Sequence, residues 1–163
     1  EVAHFKPQEL ANIGWAFATL RIDRPEAIGE VANEAIMQIR GFKPQELSNI
    51  VWAVATLLSD EPALLRAVAQ KASPCVGGFA PQELANTAWA FATLGCQEDD
   101  LLRAIAEEAV IKVDDFDPLG LSNLAWAVAA LALHQPELLH AIARAAVATL
   151  QAYTSEDISR LLW

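Results

Sequence analysis

The sequence predicts an all-α protein, a right-handed α-solenoid of helical hairpins in 37-residue repeats. The first observation is a sixteen-residue unit, FKPQELANIGWAFATL at 5–20, which returns at 42–57, 79–94 and 116–131. A fixed period of this size is typical of repeat architectures. Each copy also contains two segments with apolar residues three or four apart, the spacing of amphipathic helices. Finally, Ala and Leu dominate a composition that is 54% hydrophobic, which favours packed helices.

The repeats divide the chain evenly. One further step of 37 residues reaches 153–163, a degenerate fifth copy in which Tyr153, Ile158 and Trp163 take the places of the recurring Phe, Leu and Trp. We therefore expect one solenoid segment over residues 1–163, with four full repeats and a partial fifth that start near 5, 42, 79, 116 and 153. Val2 falls where the other repeats close, so we expect this segment to be part of a longer array. In such arrays each repeat contacts mainly its neighbours.

The first helix of each repeat, helix A, is predicted to begin at the proline of the repeated unit, because proline suits the first helical position. A glutamate three residues in, as at Glu9, lies near the positive end of the helix dipole. In the fourth copy, Asp117 is expected to cap the helix. The apolar stripe of helix A is predicted from five positions in the first copy: Leu10, Ile13, Gly14, Phe17 and Leu20.

The second helix, helix B, is predicted to begin near a residue that recurs every 37 positions: Pro25, Pro62, Asp99 and Pro136. The joints between helices A and B are short, which favours antiparallel pairs. Glycine suits the residue after a helix, and Gly41, Gly77 and Gly78 are expected at helix ends.

A mostly polar stripe runs along helix A. Helical spacing puts Gln8, Asn12, Ala16 and Thr19 on one side, nearly opposite Leu10. The amides recur in later copies as Gln45, Gln82, Asn49, Asn86 and Asn123. Two interpretations are open for the asparagines: a hydrogen-bond ladder between repeats, or side chains on a concave surface that contact RNA or a protein partner. In the second interpretation Lys6 and Lys43 flank the groove and offer charge to phosphates.

All five tryptophans occupy one repeat position: Trp15, Trp52, Trp89, Trp126 and Trp163. This position lies at the border between the polar and apolar sides of helix A. A border aromatic in a solenoid packs against the next helix A, with its indole N–H finding a partner, and we predict this structural role. The alternative is a row of stacking platforms for nucleic-acid bases.

Charge and motifs narrow the function classes. Eleven Lys and Arg against 21 Asp and Glu give a net charge of −10, which argues against a simple polyanion-binding surface. Two scattered cysteines make neither a disulfide framework nor a zinc site. There is no phosphate-binding glycine loop or nucleophile motif, so we predict no catalytic residue, metal or cofactor. No apolar run reaches the ~18–20 residues of a membrane-spanning helix.

The repeated unit resembles a known class of helical repeats. The pattern F-x-P-Q-E-L-x-N-x-x-W-A-x-A-x-L, followed by P-x-L-L-x-A-(I/V)-A, is similar to the octotricopeptide and heptatricopeptide repeats of organelle gene-expression factors, which often carry a RAP domain. The resemblance covers almost all of 5–163, and the period fits the heptatricopeptide form.

This resemblance implies a location in a chloroplast or mitochondrion, single-stranded organellar RNA as the ligand, and no enzyme in the repeats. A second hypothesis remains open from the residues. In it, the same surface serves a protein-binding scaffold or a structural subunit of an organelle complex. The sequence leaves the oligomeric state undetermined.

Overall fold

The computed structural model describes residues 4–22 and 24–149, and within these ranges every regular element is a helix. The A helices are α1 Pro7–Thr19, α3 Pro44–Thr56, α5 Pro81–Thr93 and α7 Pro118–Ala130. The B helices are α2 Pro25–Gln38, α4 Pro62–Ala72, α6 Asp99–Ile111 and α8 Pro136–Ala148. Short 3-10 turns at Ile39–Gly41, Ser73–Gly78 and Val113–Asp115 lead from each hairpin to the next.

The predicted fold class is confirmed: the protein is an α-solenoid of helical hairpins. All eight predicted helix starts agree with the structure, because proline and the polar first turn specify a helix start through local interactions. The predicted fifth copy, including Trp163, lies outside the described residues, and the handedness and the longer array remain predictions.

The A helices form the tightly packed layer. Each packs on the next A helix over most of its length and on its own B helix, whereas successive B helices contact one another less. Small residues permit the close approach: a Cβ atom on Gly14 would lie 3.1 Å from Ile50 Cδ1 and 3.3 Å from Ala53 Cβ. The core lies between the two layers. Its most regular members are four fully buried leucines at one repeat position: Leu10, Leu47, Leu84 and Leu121.

A carboxylate side chain accepts a backbone N–H at the start of every A helix. In the first copy Glu9 Oε2 accepts the N–H of Lys6 at 2.7 Å, and the second and third copies repeat this bond. In the fourth copy Gly120 replaces the glutamate, and Asp117 Oδ1 accepts the Gly120 N–H at 2.7 Å instead. The predicted Asp117 cap is thus confirmed. Each bond satisfies a backbone N–H that the helix itself leaves unpaired.

The A helices end in a left-handed residue. The residues in this conformation are again 37 apart: Arg21, Leu58, Gly95 and Ala132, with φ of 50°, 52°, 62° and 51°. In the first copy the N–H of Ile22 reaches Phe17 O at 2.9 Å and the N–H of Arg21 reaches Ala18 O at 3.1 Å. This is the Schellman pattern, and all four repeats contain it. The glycines expected at helix ends lie instead in the 3-10 turns after the B helices, without left-handed φ.

Two long polar side chains tie the end of a B helix to the start of its own repeat. Gln38 Nε2 donates to Phe5 O at 2.9 Å. Lys112, at the same repeat position two copies later, donates from Nζ to Phe79 O at 2.6 Å and to Gly77 O at 2.9 Å. These bonds fix the segment that leads into the A helix, and therefore the direction in which its first residues point.

Candidate binding surface on the A helices

The middle A helices, α3 and α5, expose a single stripe of side chains. Apart from the proline and glutamate of the first turn, neighbours cover every other position. Those that reach solvent in α3 are Gln45, Asn49, Trp52 and Thr56, and those in α5 are Gln82, Asn86, Trp89 and Thr93. Their spacing of four, three and four residues places them on one side of the helix. We call this set, with its equivalents in α1 and α7, the helix-A stripe.

The tryptophan occupies the place in this stripe that Ala16 and its equivalents were expected to take. Ala53, Ala90 and Ala127 are 1%, 0% and 1% exposed, so the expectation was wrong for the inner repeats. The reason is the close packing of the A helices, since Ala53 lies against Gly14 of α1. Only a small side chain fits there, and the tryptophan one position earlier turns towards solvent.

Exposure of the tryptophans differs along the array. Trp15 is 49% exposed, while Trp52, Trp89 and Trp126 are partly buried. Trp89 and Trp126 also pack against the hydrophobic core. Each indole in the inner repeats therefore contributes to packing and still presents part of its surface.

Leu20 does not belong to the apolar stripe in which it was predicted. It is the C-cap residue of α1 and is 69% exposed. Its equivalent Leu131 is 5% exposed in the fourth copy. Among the described residues α5 precedes α7 and packs on it, whereas no A helix precedes α1.

The amides of the stripe in α1, α3 and α5 are available for a ligand. Within 4–22 and 24–149, no protein group hydrogen-bonds to the side chains of Gln8, Asn12, Gln45, Asn49, Gln82 and Asn86. For these asparagines the hydrogen-bond ladder is therefore not formed. At the end of the stripe the hydroxyl oxygens of Thr56 and Thr93 are buried without a partner. In α3 and α5 the stripe therefore offers its side-chain amides to solvent and not its threonine hydroxyls.

The first two repeats bring the predicted residues together in a cleft of about 130 Å³. Its lining comes from two A helices and the residue before α3: Gln8, Ala11, Asn12, Lys43, Gln45, Glu46 and Asn49. Lys6 is exposed but does not line the cleft. In the fourth copy, Leu119 replaces the glutamine and is 46% exposed. The full amide pair is thus present in three successive repeats.

The surface carries few positive charges. None of the four A helices contains a Lys or Arg. At their N-terminal ends two lysines, Lys6 and Lys43, stand against four carboxylates: Glu9, Glu46, Glu83 and Asp117. Two cations against four anions leave this edge with a net charge of −2.

Two further searches concern only the part of the chain that the structure describes. It contains no group of three or more His, Cys, Asp or Glu side chains arranged to hold a metal ion. None of its helices has the length and apolar character needed to cross a membrane.

The family model for RESC6, the RNA-editing substrate-binding complex 6 protein, matches residues 1–163. The chain belongs to the RESC6 family. This match indicates a helical protein of RNA processing, the broad class that the repeat pattern suggested, but it does not single out octotricopeptide or heptatricopeptide repeats. No curated protein matches the chain.

Proposed function

We propose that this chain is a non-catalytic scaffold subunit of an organellar RNA-processing assembly. The observation that carries the proposal is membership of the RESC6 family over all 163 residues. The description of that family names a protein of an RNA-editing substrate-binding complex. A location of the chain in an organelle is consistent with this family, and we favour the mitochondrion over the chloroplast. The solenoid supports a binding role, because stacked repeats present one continuous surface to a partner.

We propose the helix-A stripe as the binding surface. The amides of α1, α3 and α5 have no protein hydrogen-bond partner. The tryptophans are partly exposed, and amides and tryptophans both recur in successive repeats. The residues concerned are Gln8, Asn12, Gln45, Asn49, Gln82, Asn86 and Asn123, with Lys6 and Lys43 at the edge. Trp15, Trp52, Trp89 and Trp126 combine packing with a surface on which a ligand can lie.

Direct binding of single-stranded RNA is the second candidate function. Lys43 lies in the cleft beside Gln45 and Asn49, where a phosphate could meet a cation, and aromatic faces stack on bases. The shortage of cations limits this function, because affinity for nucleic acid depends mainly on phosphates neutralised by Lys and Arg.

Site-specific photo-crosslinking in the organelle tests both candidates. A photoreactive amino acid replaces Asn49 or Asn86 in the stripe, and the same replacement at Asn33 provides the control. Asn33 is an exposed asparagine on helix B. We expect peptide adducts from RNA-processing proteins at 49 and 86 and none at 33.

Each outcome has a defined meaning. Nucleotide adducts at 49 and 86 would establish the RNA-binding candidate. A chain that neither crosslinks to nor co-purifies with RNA-processing proteins would contradict the scaffold proposal.

A further inference from the structure

The helix-A stripe has nearly the same chemistry in three successive repeats, so it suits a ligand whose own chemistry repeats. We propose that its occupant is an extended, basic polypeptide segment in a polyproline II-like conformation, lying across α1, α3 and α5. This inference rests on the proposed scaffold function and specifies the partner of the same surface. Three features of the stripe carry it: its hydrogen-bonding groups, its spacing and its charge.

The hydrogen-bonding groups match a peptide main chain. Each side-chain amide of the stripe, such as Asn49 or Asn86, presents both an N–H donor and a C=O acceptor. A main-chain peptide unit presents the same two groups in reverse. The repeating group of the RNA backbone is the phosphate, which is anionic and accepts hydrogen bonds but donates none. Bound to the stripe, it would leave the amide oxygens without a donor and facing negative charge. A uniform row of amides therefore favours the peptide over the phosphate backbone.

The spacing matches one particular extended conformation. Packed helices lie ~8–10 Å apart, and the close contact between Gly14 and Ala53 indicates tight packing of the A helices. A polyproline II helix has three residues per turn and rises 3.1 Å per residue, so its pattern repeats about every 9 Å. A β-strand repeats its pattern about every 6.6 Å, which does not fit. Polyproline II also leaves its main-chain groups without internal hydrogen bonds, so they are free to pair with the amides.

The charge and the tryptophans select basic side chains. α1, α3 and α5 contain no cation. At their N-terminal edge two lysines stand against the three carboxylates of Glu9, Glu46 and Glu83, a net charge of −1, within a chain whose net charge is −10. The partly exposed ring of Trp52 or Trp89 can hold a Lys or Arg of the ligand over its face, an interaction that strengthens when it is shielded from water. With three residues per repeat, the ligand would place a basic residue at every third position.

Fluorescence anisotropy with labelled twelve-residue peptides tests the proposal on the 163-residue chain. The probe is four repeats of Lys-Pro-Ala. One comparison peptide has the same composition with its lysines clustered, another has Glu in place of Lys, and a twelve-nucleotide oligouridine represents RNA. We expect the Lys-Pro-Ala peptide to bind with an affinity at least about tenfold higher than that of either comparison peptide. It should also bind more tightly than the oligouridine.

The amides provide the matched variants. The double substitution Asn49→Ala with Asn86→Ala removes two unpartnered side chains and should weaken peptide binding about tenfold or more. Asn33→Ala on helix B serves as the control and should leave binding unchanged. Circular dichroism establishes that all variants keep their helical content.

Several results would overturn the inference. These are equal binding of the clustered or acidic peptide, no binding of Lys-Pro-Ala even at millimolar concentration, or an unchanged affinity in the double variant. Tighter oligouridine binding that the double variant abolishes would assign the surface to RNA. If the peptide fails to bind while the chain still co-purifies with RNA-processing proteins, this inference fails and the proposed function stands.

Discussion

At the scale of single residues, the left-handed backbone conformation after each A helix costs conformational free energy in three of the four repeats. Only Gly95 adopts this conformation without strain, whereas Arg21, Leu58 and Ala132 hold it with a Cβ atom. A left-handed conformation costs an ordinary residue about 1–2 kcal/mol. The Schellman hydrogen bonds offset this cost, since they satisfy carbonyls at the helix end.

We expect Ala132→Gly to raise the free energy of unfolding by about 0.5–1 kcal/mol. Removal of the left-handed strain outweighs the extra freedom that glycine gives the unfolded chain. The reverse change, Gly95→Ala, should lower stability by a similar amount. Urea denaturation measures both, and stabilisation by Gly95→Ala would contradict the assigned backbone conformation.

The tryptophans should differ in their contribution to stability. A fully buried large aromatic costs about 3–5 kcal/mol when truncated to Ala. Trp89 is partly buried against the core, so we expect Trp89→Ala to cost about 2–4 kcal/mol. Trp15 is 49% exposed, and we expect Trp15→Ala to cost about 1 kcal/mol. Denaturant unfolding of the two variants tests this order, and equal costs would refute it.

Cys96 should react slowly with thiol reagents. Burial raises the pKa of its thiol, the charge of Glu98 raises this pKa further, and Arg66 lowers it. Since the thiolate is the reactive form, we expect Arg66→Ala to slow alkylation by iodoacetamide and Glu98→Gln to speed it. The rates are measured at mildly alkaline pH in a Cys75→Ser background.

The same shift has a consequence for stability. Because folding raises this pKa, the protonated thiol stabilises the folded state below the unfolded pKa. That contribution is lost as the pH rises through the folded pKa. Faster alkylation in Arg66→Ala together with slower alkylation in Glu98→Gln would show that Glu98 and Arg66 do not act through their charges.

At the scale of the helices, the carboxylate caps show how one requirement is met in two ways. Three A helices use a glutamate in the first turn, and α7 uses Asp117 because Gly120 stands where the others have glutamate. A Cβ atom on Gly120 would lie 2.9 Å from Asp117 Oδ1. The glycine and the aspartate of α7 therefore belong together.

We expect Asp117→Ala to lower the free energy of unfolding by about 1 kcal/mol, the usual cost of losing an N-cap. Asp117→Asn is the control, because its side-chain oxygen still accepts the Gly120 N–H and should retain most of the stability. Thermal unfolding followed by circular dichroism compares the two variants. Equal losses would mean that charge, and not the hydrogen bond, carries the effect.

At the scale of the whole molecule, charge limits what the solenoid can bind. The helix-A surface has two lysines at its edge and none within its helices, so it can neutralise about two phosphates. At about 0.7 per phosphate for single strands, log affinity should fall by only ~1.4 per tenfold rise in salt.

We therefore expect the isolated chain to bind generic single-stranded RNA with a Kd on the order of 10⁻⁵ M or weaker at physiological salt. Lys6→Gln with Lys43→Gln should reduce the salt dependence further. A salt titration of RNA binding measures both quantities. Nanomolar affinity with a steep salt dependence would contradict this charge argument.

Local interactions made the repeat and the helix starts predictable. A proline followed by a first-turn glutamate favours a helix start through local interactions, so Pro7, Pro44 and Pro81 marked the A helices from the sequence alone. The amides of the candidate surface could likewise be identified, because helical spacing places Gln45 and Asn49 on one side. The family, by contrast, came from comparison with known proteins, since the fold alone does not determine function.

Packing between repeats decided the rest. Helical spacing alone put Ala53 in the polar stripe, but contact with Gly14 of the preceding A helix buries the alanine and turns Trp52 outward. The left-handed ends were hidden because Arg, Leu, Gly and Ala share that position, and only one of them signals the conformation. The sequence by itself thus determined the helices and their repeat, which depend on neighbours along the chain. The tertiary structure decided which side chains reach solvent, because that depends on two flanking helices 37 residues away in each direction.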